Sequence, residues 1–151
     1  MYALLGAAYE DAQGICDECA QDEILVCANF NAPGQVVVSG DVAAIERAEK
    51  AWQSLGKRGA RLNTAGAFHS PLMASASKAV REKCSELSWK QPAVPVICNT
   101  DAQVFDVDQA ADRLARQTGC SSVCRGWLWS GFEWSCSPHR QTCRSRSCWN
   151  A

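Results

Sequence analysis

Ile24-Leu25-Val26-Cys27-Ala28-Asn29-Phe30-Asn31-Ala32-Pro33-Gly34-Gln35-Val36-Val37-Val38-Ser39-Gly40 is the stretch whose reading decides the fold. Ile24 to Ala28 and Gln35 to Ser39 are short apolar runs, the second rich in the β-branched valine that suits a pleated surface. Asn29 to Gly34 separates them and ends in Pro-Gly turn chemistry, so the pair reads as a hairpin. Upstream, the apolar run Tyr2 to Gly6 precedes Ala8, Ala12, Ile15, Cys16 and Cys19, spaced i, i+4, i+7, i+8 and i+11: a strand, then an amphipathic helix. Downstream, Asp41 is a credible N-cap, Val42, Ile45, Ala48, Trp52 and Leu55 recur at helical spacing, and Gly56 supplies the stop. Arg61 and Leu62 form a short fourth strand. Residues 1–63 thus follow the βαββαβ order of a ferredoxin-like unit.

Beyond it, the small-residue loop Thr64-Ala65-Gly66-Ala67 leads to Phe68-His69-Ser70-Pro71. Ser70 reads as an N-cap and Pro71 as the first helical residue, with Leu72, Ala76, Ala79, Val80, Lys83, Cys84 and Leu87 continuing one face. Gln91 to Pro95 breaks the pattern, Val96 to Cys98 reads as a short buried strand, and Asp108 to Gln117 as a helix. These elements, residues 64–117, must pack on the first unit or on something else. In residues 118–151, Trp127, Trp129, Trp134 and Trp149 lie among Cys, Ser and Arg with neither helical nor strand period, so no regular element is expected there.

At 151 residues the chain is the size of one ordinary domain, and a net charge of -1 with interspersed signs offers no basic stripe for a nucleic acid. No apolar run approaches the roughly 20 residues of a membrane span, and no secretory leader is recognisable, so the chain reads as cytoplasmic with reduced thiols. Cys16 and Cys19 have redox-motif spacing, but Asp17 and Glu18 between them oppose a thiolate, and two core-facing thiols are expected. Cys120, Cys124, Cys136 and His139 could close a tetrahedron around zinc, yet they sit in a segment without other signs of design, and no metal is assigned.

His69 is the first candidate for chemistry; the plainer alternative is a loop histidine that only caps or packs. The positive end of the following helix disfavours imidazolium, so a neutral, proton-accepting ring is expected near pH 7.

Asn29 to Gly40, then Gly66-Ala67-Phe68-His69-Ser70-Pro71-Leu72-Met73, then Pro95-Val96-Ile97-Cys98-Asn99, resemble malonyl-CoA:acyl-carrier-protein transacylase in order and separation. The likeness runs from Met1 to about Gln117, and Met1 to Gly6 resembles the strand that opens the family's small inserted subdomain. The resemblance implies an α/β chain: a ferredoxin-like small subdomain at 1–63 and, at 64–117, a remnant of the larger α/β-hydrolase-like subdomain. It implies that malonyl passes from coenzyme A, through a serine, to the phosphopantetheine thiol of acyl carrier protein in fatty acid biosynthesis, with no cofactor. His69 would be the base that activates the serine, and the main-chain carbonyl of Gln117, in the matching Arg116-Gln117 pair, would hold its tautomer. Phe68 would narrow the acyl pocket in favour of malonyl. Asn29 and Asn31 fall in the family's Asn-Phe-Asn motif as pocket candidates, and equally could only satisfy the hairpin backbone. Full-length relatives are expected to be monomeric.

The family's Gly-x-Ser-x-Gly elbow does not occur in these residues, nor does the arginine that pairs with the malonyl carboxylate, so the chain alone is expected to be inactive. Where the family continues with an apolar strand and a Gly-Pro motif, this chain departs, and a shifted reading frame from near Gln117 accounts for the change of composition. The rival reading is a non-catalytic ferredoxin-like module that binds a ligand or a protein; an RNA-binding version would want stacking rings where Val36, Val37 and Val38 stand.

Overall fold

The computed structural model describes residues 1–101 and 103–119 and, beyond them, three short strands at 122–123, 132–135 and 144–147. Strand β1 (Tyr2–Ala7), helix α1 (Tyr9–Ala20), β2 (Leu25–Ala32), β3 (Gly34–Gly40), α2 (Val42–Ser54) and β4 (Gly59–Arg61) follow one another as the periodicity predicts. The four strands lie antiparallel in the order β4-β1-β3-β2. The valine run occupies a central strand, and Val36, Val37 and Val38 are all buried, as expected where both edges are paired and side chains on both faces are covered.

Asn29, Phe30 and Asn31 belong to β2 and not to the turn. The strand runs on to Ala32, with register shifts between Cys27 and Asn29 and between Phe30 and Ala32, and the chain reverses at Pro33 and Gly34, the latter at φ 79°. Ladder partners in β3, Val37 for Asn29 and Val36 for Phe30, outweigh the preference of asparagine for turns.

Helices α1 and α2 contribute Ala12, Ile15, Cys16 and Cys19, and Ala44, Ile45, Ala48 and Trp52, to one core with Tyr2, Leu4, Leu25, Cys27, Val36 and Val38. Val42 and Leu55, placed on the same stripe by spacing, are 71% and 62% exposed because they stand at the two ends of α2, beyond the reach of the sheet. Asp41 does not cap α2 through its side chain. Its carboxylate accepts the Ile24 N–H at 2.8 Å and pins the start of β2, while its main-chain carbonyl accepts the Ile45 N–H at 3.0 Å. Gly40 is required here: a Cβ at this position would run into the backbone of Ile24. The Arg47 guanidinium crosses from α2 to the end of α1, where Nε donates to Cys19 O at 2.8 Å and Nη2 to Ala20 O at 3.0 Å. Cys16 and Cys27 face each other at 3.7 Å. That hydrogen bond, then burial, pushes the Cys16 thiol far above its usual range; burial, then Glu18, raises Cys19 against an opposing pull from Arg47. The expectation of core thiols at 16 and 19 matches their burial.

Residues 64–119 are built differently. A 3₁₀ turn (Pro71–Met73) enters α3 (Ala74–Ser85), and a second (Val107–Gln109) enters α4 (Ala110–Gly119). The two helices are tied by Ser77 Oγ donating to Ala115 O at 2.6 Å and by an Arg81–Asp112 ion pair at 2.9 Å. Helix α3 buries none of its residues, and α4 buries Ala110, Arg113 and Ala115. The Arg113 guanidinium is compensated by Val104 O at 2.6 Å, by Cys98 Sγ at 3.3 Å and by Asp101 at 3.4 Å, as a buried charge requires. Val96 to Cys98 does not form a buried strand: Ile97 makes only an isolated bridge to Val104 and is 59% exposed, since no described strand lies beside it to complete a ladder.

Within 118–151, where no regular element is expected, Thr118 and Gly119 complete α4. Three short strands follow. β5 (Ser122–Val123) runs parallel to Asn29 and Phe30 and covers the edge that β2 otherwise leaves open, while β6 (Phe132–Ser135) and β7 (Arg144–Ser147) pair antiparallel. Cys120, Cys124, Cys136 and His139 lie outside the described residues. Among the described residues no helix is long and apolar enough to cross a membrane.

Trp52 is fully buried, donates Nε1–H to Arg58 O at 2.9 Å and carries Lys57 Nζ 4.4 Å above its ring. Trp52→Ala should cost about 3–5 kcal/mol, read as a fall in the urea midpoint; an unchanged midpoint would place the core elsewhere.

Candidate functional site

Helix α4 is described as far as Gly119, and among the described residues the carbonyls of its last four residues, 116–119, have no partner within the helix. His69 takes two of them. Its main-chain N–H donates to Thr118 O at 3.0 Å, and its ring Nδ1 lies 2.7 Å from Gln117 O. A carbonyl can only accept, so Nδ1 carries the proton and Nε2 is the basic nitrogen of the neutral ring. Both contacts require the backbone to turn sharply at His69, which sits in the left-handed region at φ 58°. A non-glycine residue there costs on the order of 1–3 kcal/mol and persists only where its surroundings over-determine it. The two carbonyls of α4 do so.

The loop around His69 is held by its neighbour. Ser70 is fully buried and donates Oγ–H to Ala67 O at 2.6 Å, and its carbonyl accepts the Met73 N–H at 3.0 Å. The hydroxyl therefore closes the loop and does not cap the helix, which corrects the sequence expectation for Ser70; Pro71 does occupy the first position of the turn. The α-helical part of α3 starts only at Ala74, five residues beyond His69. The field of a helix end falls off within about one turn, and the helix end in contact with the imidazole is the carbonyl end of α4. The α3 dipole alone therefore does not govern the charge of the ring.

Of the residues singled out by sequence, His69 and Gln117 are in direct contact, and Phe68 adjoins them, 38% exposed. Asn29, half-buried, and Asn31, exposed, stand on β2. β5 pairs with Asn29 and Phe30, and Ser122 is five residues past Gln117, so the β2 partner Ser122 lies within at most about 18 Å of Gln117. Two contributors escape sequence reading: Thr118, the second carbonyl on His69, and Ser77, which grips the same helix end. Gly119, as a helix stop, is the available signal for Thr118. Pro71, Ser77, Lys78, Arg81 and Arg116 line an open cleft of about 320 Å³ between α3 and α4. Two of its cations are engaged, Arg81 with Asp112 at 2.9 Å and Lys78 with Glu82 at 3.9 Å. Among the described residues no group of three or more His, Cys, Asp or Glu side chains could hold a metal ion.

No family model matches the chain. It is 34% identical over 120 residues to the malonyl CoA-acyl carrier protein transacylase of Salmonella typhimurium, covering 78% of this chain and 38% of that protein. It is 36% identical over 105 residues to the Staphylococcus aureus protein of the same name, covering 68% and 34%. Among solved structures, the malonyl-CoA:acyl carrier protein transacylase of Xanthomonas oryzae pv. oryzae superposes with a TM-score of 0.76 at 35% identity, over 81% of this chain and 40% of that one. A malonyl-transacylase solved in complex with its type II polyketide acyl-carrier protein superposes with a TM-score of 0.76 at 30% identity, over the same shares. The chain thus spans about two fifths of the length of these relatives.

The tautomer is directly measurable. In the ¹⁵N-labelled chain, with His139→Gln removing the other imidazole, long-range ¹H–¹⁵N correlations at alkaline pH should give His69 the Nδ1–H pattern; an Nε2–H pattern would mean that Gln117 O does not hold the ring.

Proposed function

We infer, from this chain's homology to one stretch of the malonyl CoA-acyl carrier protein transacylases, that it is the portion of such an enzyme that carries the catalytic base. His69 takes the proton of a serine hydroxyl through Nε2 while the serine oxygen attacks the thioester carbonyl of malonyl-CoA. It returns that proton to the departing coenzyme A thiolate, which leaves a malonyl-serine ester. In the second half, His69 deprotonates the phosphopantetheine thiol of acyl carrier protein, the thiolate takes the malonyl group, and the proton goes back to the serine. The observation that carries this reading is the 2.7 Å contact between His69 Nδ1 and Gln117 O. A fixed Nδ1–H leaves Nε2 as base and gives the transient imidazolium a hydrogen-bond acceptor, the task a carboxylate performs in serine hydrolases.

Phe68, next to the base, narrows the acyl pocket so that malonyl is preferred to methylmalonyl; one methyl group is worth about 1–3 kcal/mol in such discrimination. Asn29 and Asn31 are the weaker pocket candidates. The reaction needs no cofactor in this mechanism. Residues 1–63 form a ferredoxin-like small subdomain, a reading supported by the order β1-α1-β2-β3-α2-β4 and the sheet order β4-β1-β3-β2, and residues 64–117 are part of the larger acyltransferase subdomain. The complete enzyme works as a cytoplasmic monomer. The 151 residues contain no Gly-x-Ser-x-Gly, so the serine must be presented by other residues than these. A purely binding, ferredoxin-like module has no use for the His69–Gln117 clasp, which lies outside residues 1–63.

The 151-residue chain given malonyl-CoA and holo acyl carrier protein should show background transfer only. Residues 1–117 grafted in place of the matched stretch of the Salmonella relative should restore transfer, and His69→Ala in the graft should lower its rate by roughly 10²–10⁴. Equal rates with and without His69, or a serine of the 151-residue chain itself labelled by malonyl thioester, would sink the reading.

A further inference from the structure

We propose that Ser77 is a positioning residue for His69: by gripping the last turn of α4 it fixes where the Gln117 and Thr118 carbonyls stand, and so which way the imidazole points. The proposal rests on the reading of His69 as the base. Ser77 is half-buried on the side of α3 that meets α4, and its Oγ donates to Ala115 O at 2.6 Å. Ala115 is fully buried and lies two residues before Gln117, about 3 Å back along the helix axis. Ser77 and Gly119, the last residue of α4, both line the cleft between the two helices, where a Cβ on Gly119 would stand at an ordinary van der Waals distance of 3.7 Å from the serine Cβ. One side chain thus holds α4 just ahead of the two carbonyls that His69 uses.

Apart from the two contacts of His69 itself, the other ties on this turn are weaker or farther away. Thr118 Oγ1 reaches Leu114 O only at 3.4 Å, within the same helix. The Arg81–Asp112 pair joins the same two helices, but both side chains are more than half exposed and Asp112 lies in the first turn of α4, so it contributes little and at the wrong end. A terminal helix turn frays unless something outside the helix holds it. Ser77 supplies that hold from α3, whose entry turn begins immediately after Ser70. The distance from base to orienting carbonyl is therefore set by α3 through one hydroxyl. Alanine would keep the approach to α4 but lose the donor.

The test uses the full chain. Ser77→Ala is a small change that favours helix formation, so the fold should persist. Hydrogen exchange of the His69 Nδ1 proton, followed by NMR in the His139→Gln background, should accelerate about tenfold on loss of one hydrogen bond. The Trp52 Nε1 proton, buried in the sheet core, should keep its rate, and Ser77→Thr, which retains the hydroxyl, should restore the slow exchange at His69. Unchanged His69 exchange in Ser77→Ala, equal acceleration at His69 and Trp52, or failure of Ser77→Thr to restore it would each overturn the proposal. In the graft described above, Ser77→Ala should lower kcat several-fold with KM unchanged and alter the pH profile. Failure of the unsubstituted graft would count against malonyl transfer and leave the exchange result to decide the positioning.

Discussion

A helix cannot satisfy the carbonyls of its own last turn, and in this chain that deficit is repeatedly met by a residue from outside the helix. The Arg47 guanidinium takes Cys19 O and Ala20 O at the end of α1, the Trp89 indole takes Cys84 O at the end of α3, and His69 takes Gln117 O and Thr118 O at the end of α4. Helix α2 instead closes itself, with Gly56 at φ 70° allowing Leu55 and Gly56 to donate back to Ala51 O and Gln53 O. The candidate site is one instance of a general solution to the same backbone problem. What sets His69 apart is that its donor is also a titratable nitrogen, so satisfying the helix end simultaneously decides the ring's tautomer. The acceptor is main chain, and the side chain at position 117 is not part of the contact.

The two halves of the chain draw their order from different sources. Residues 1–62 enclose a continuous apolar core around Trp52, Tyr2 and Leu4, and removing that surface from water is what chiefly stabilises them. Residues 64–119 leave Phe68, Leu72, Leu87, Ile97, Val104 and Leu114 exposed and are held by directed polar contacts: Ser70 on Ala67, Ser77 on Ala115, Arg113 on Val104. Hydrogen bonds fix distances and angles more sharply than apolar contact does, but each yields only about 1 kcal/mol net. The half that carries the imidazole is thus geometrically specific and weakly buried.

How much of this is legible in the sequence follows from which forces are local. The valine run, the 3.6-residue stripes of α1 and α2 and the stop at Gly56 record burial, and burial has a period; six elements follow in the right order on that basis. The departures fall where a hydrogen-bond or ladder partner that the pattern does not record decides; Asp41 and Ser70 stand at the N-cap positions, with their side chains bonded elsewhere. Asn29 and Asn31 are turn residues by type, but β3 offers their strand a ladder. Asp41 has the chemistry of a cap, but the Ile24 N–H claims its carboxylate. Ser70 has it too, but Ala67 O lies within reach of its hydroxyl, and Val96 to Cys98 has the composition of a strand with nothing to say that no described neighbour lies beside it. His69 and Gln117 emerge through motif resemblance, whereas Ser77 carries no signal because its partner is a carbonyl, which every residue possesses.

The electrostatics of the site follow the same division. Reading along the chain places His69 just ahead of α3 and suggests that the positive end of that helix governs its charge. In space, a 3₁₀ turn intervenes, and the ring and its own N–H face the carbonyl end of α4, forty-eight residues away in sequence. A dipole acts over about a turn, so the helix that touches a group matters more than the helix that follows it. The arrangement has a consequence the chain order hides: the carbonyl that orients the ring belongs to α4 and not to the helix that His69 precedes. The ring's orientation thus comes from one structural feature, the last turn of α4.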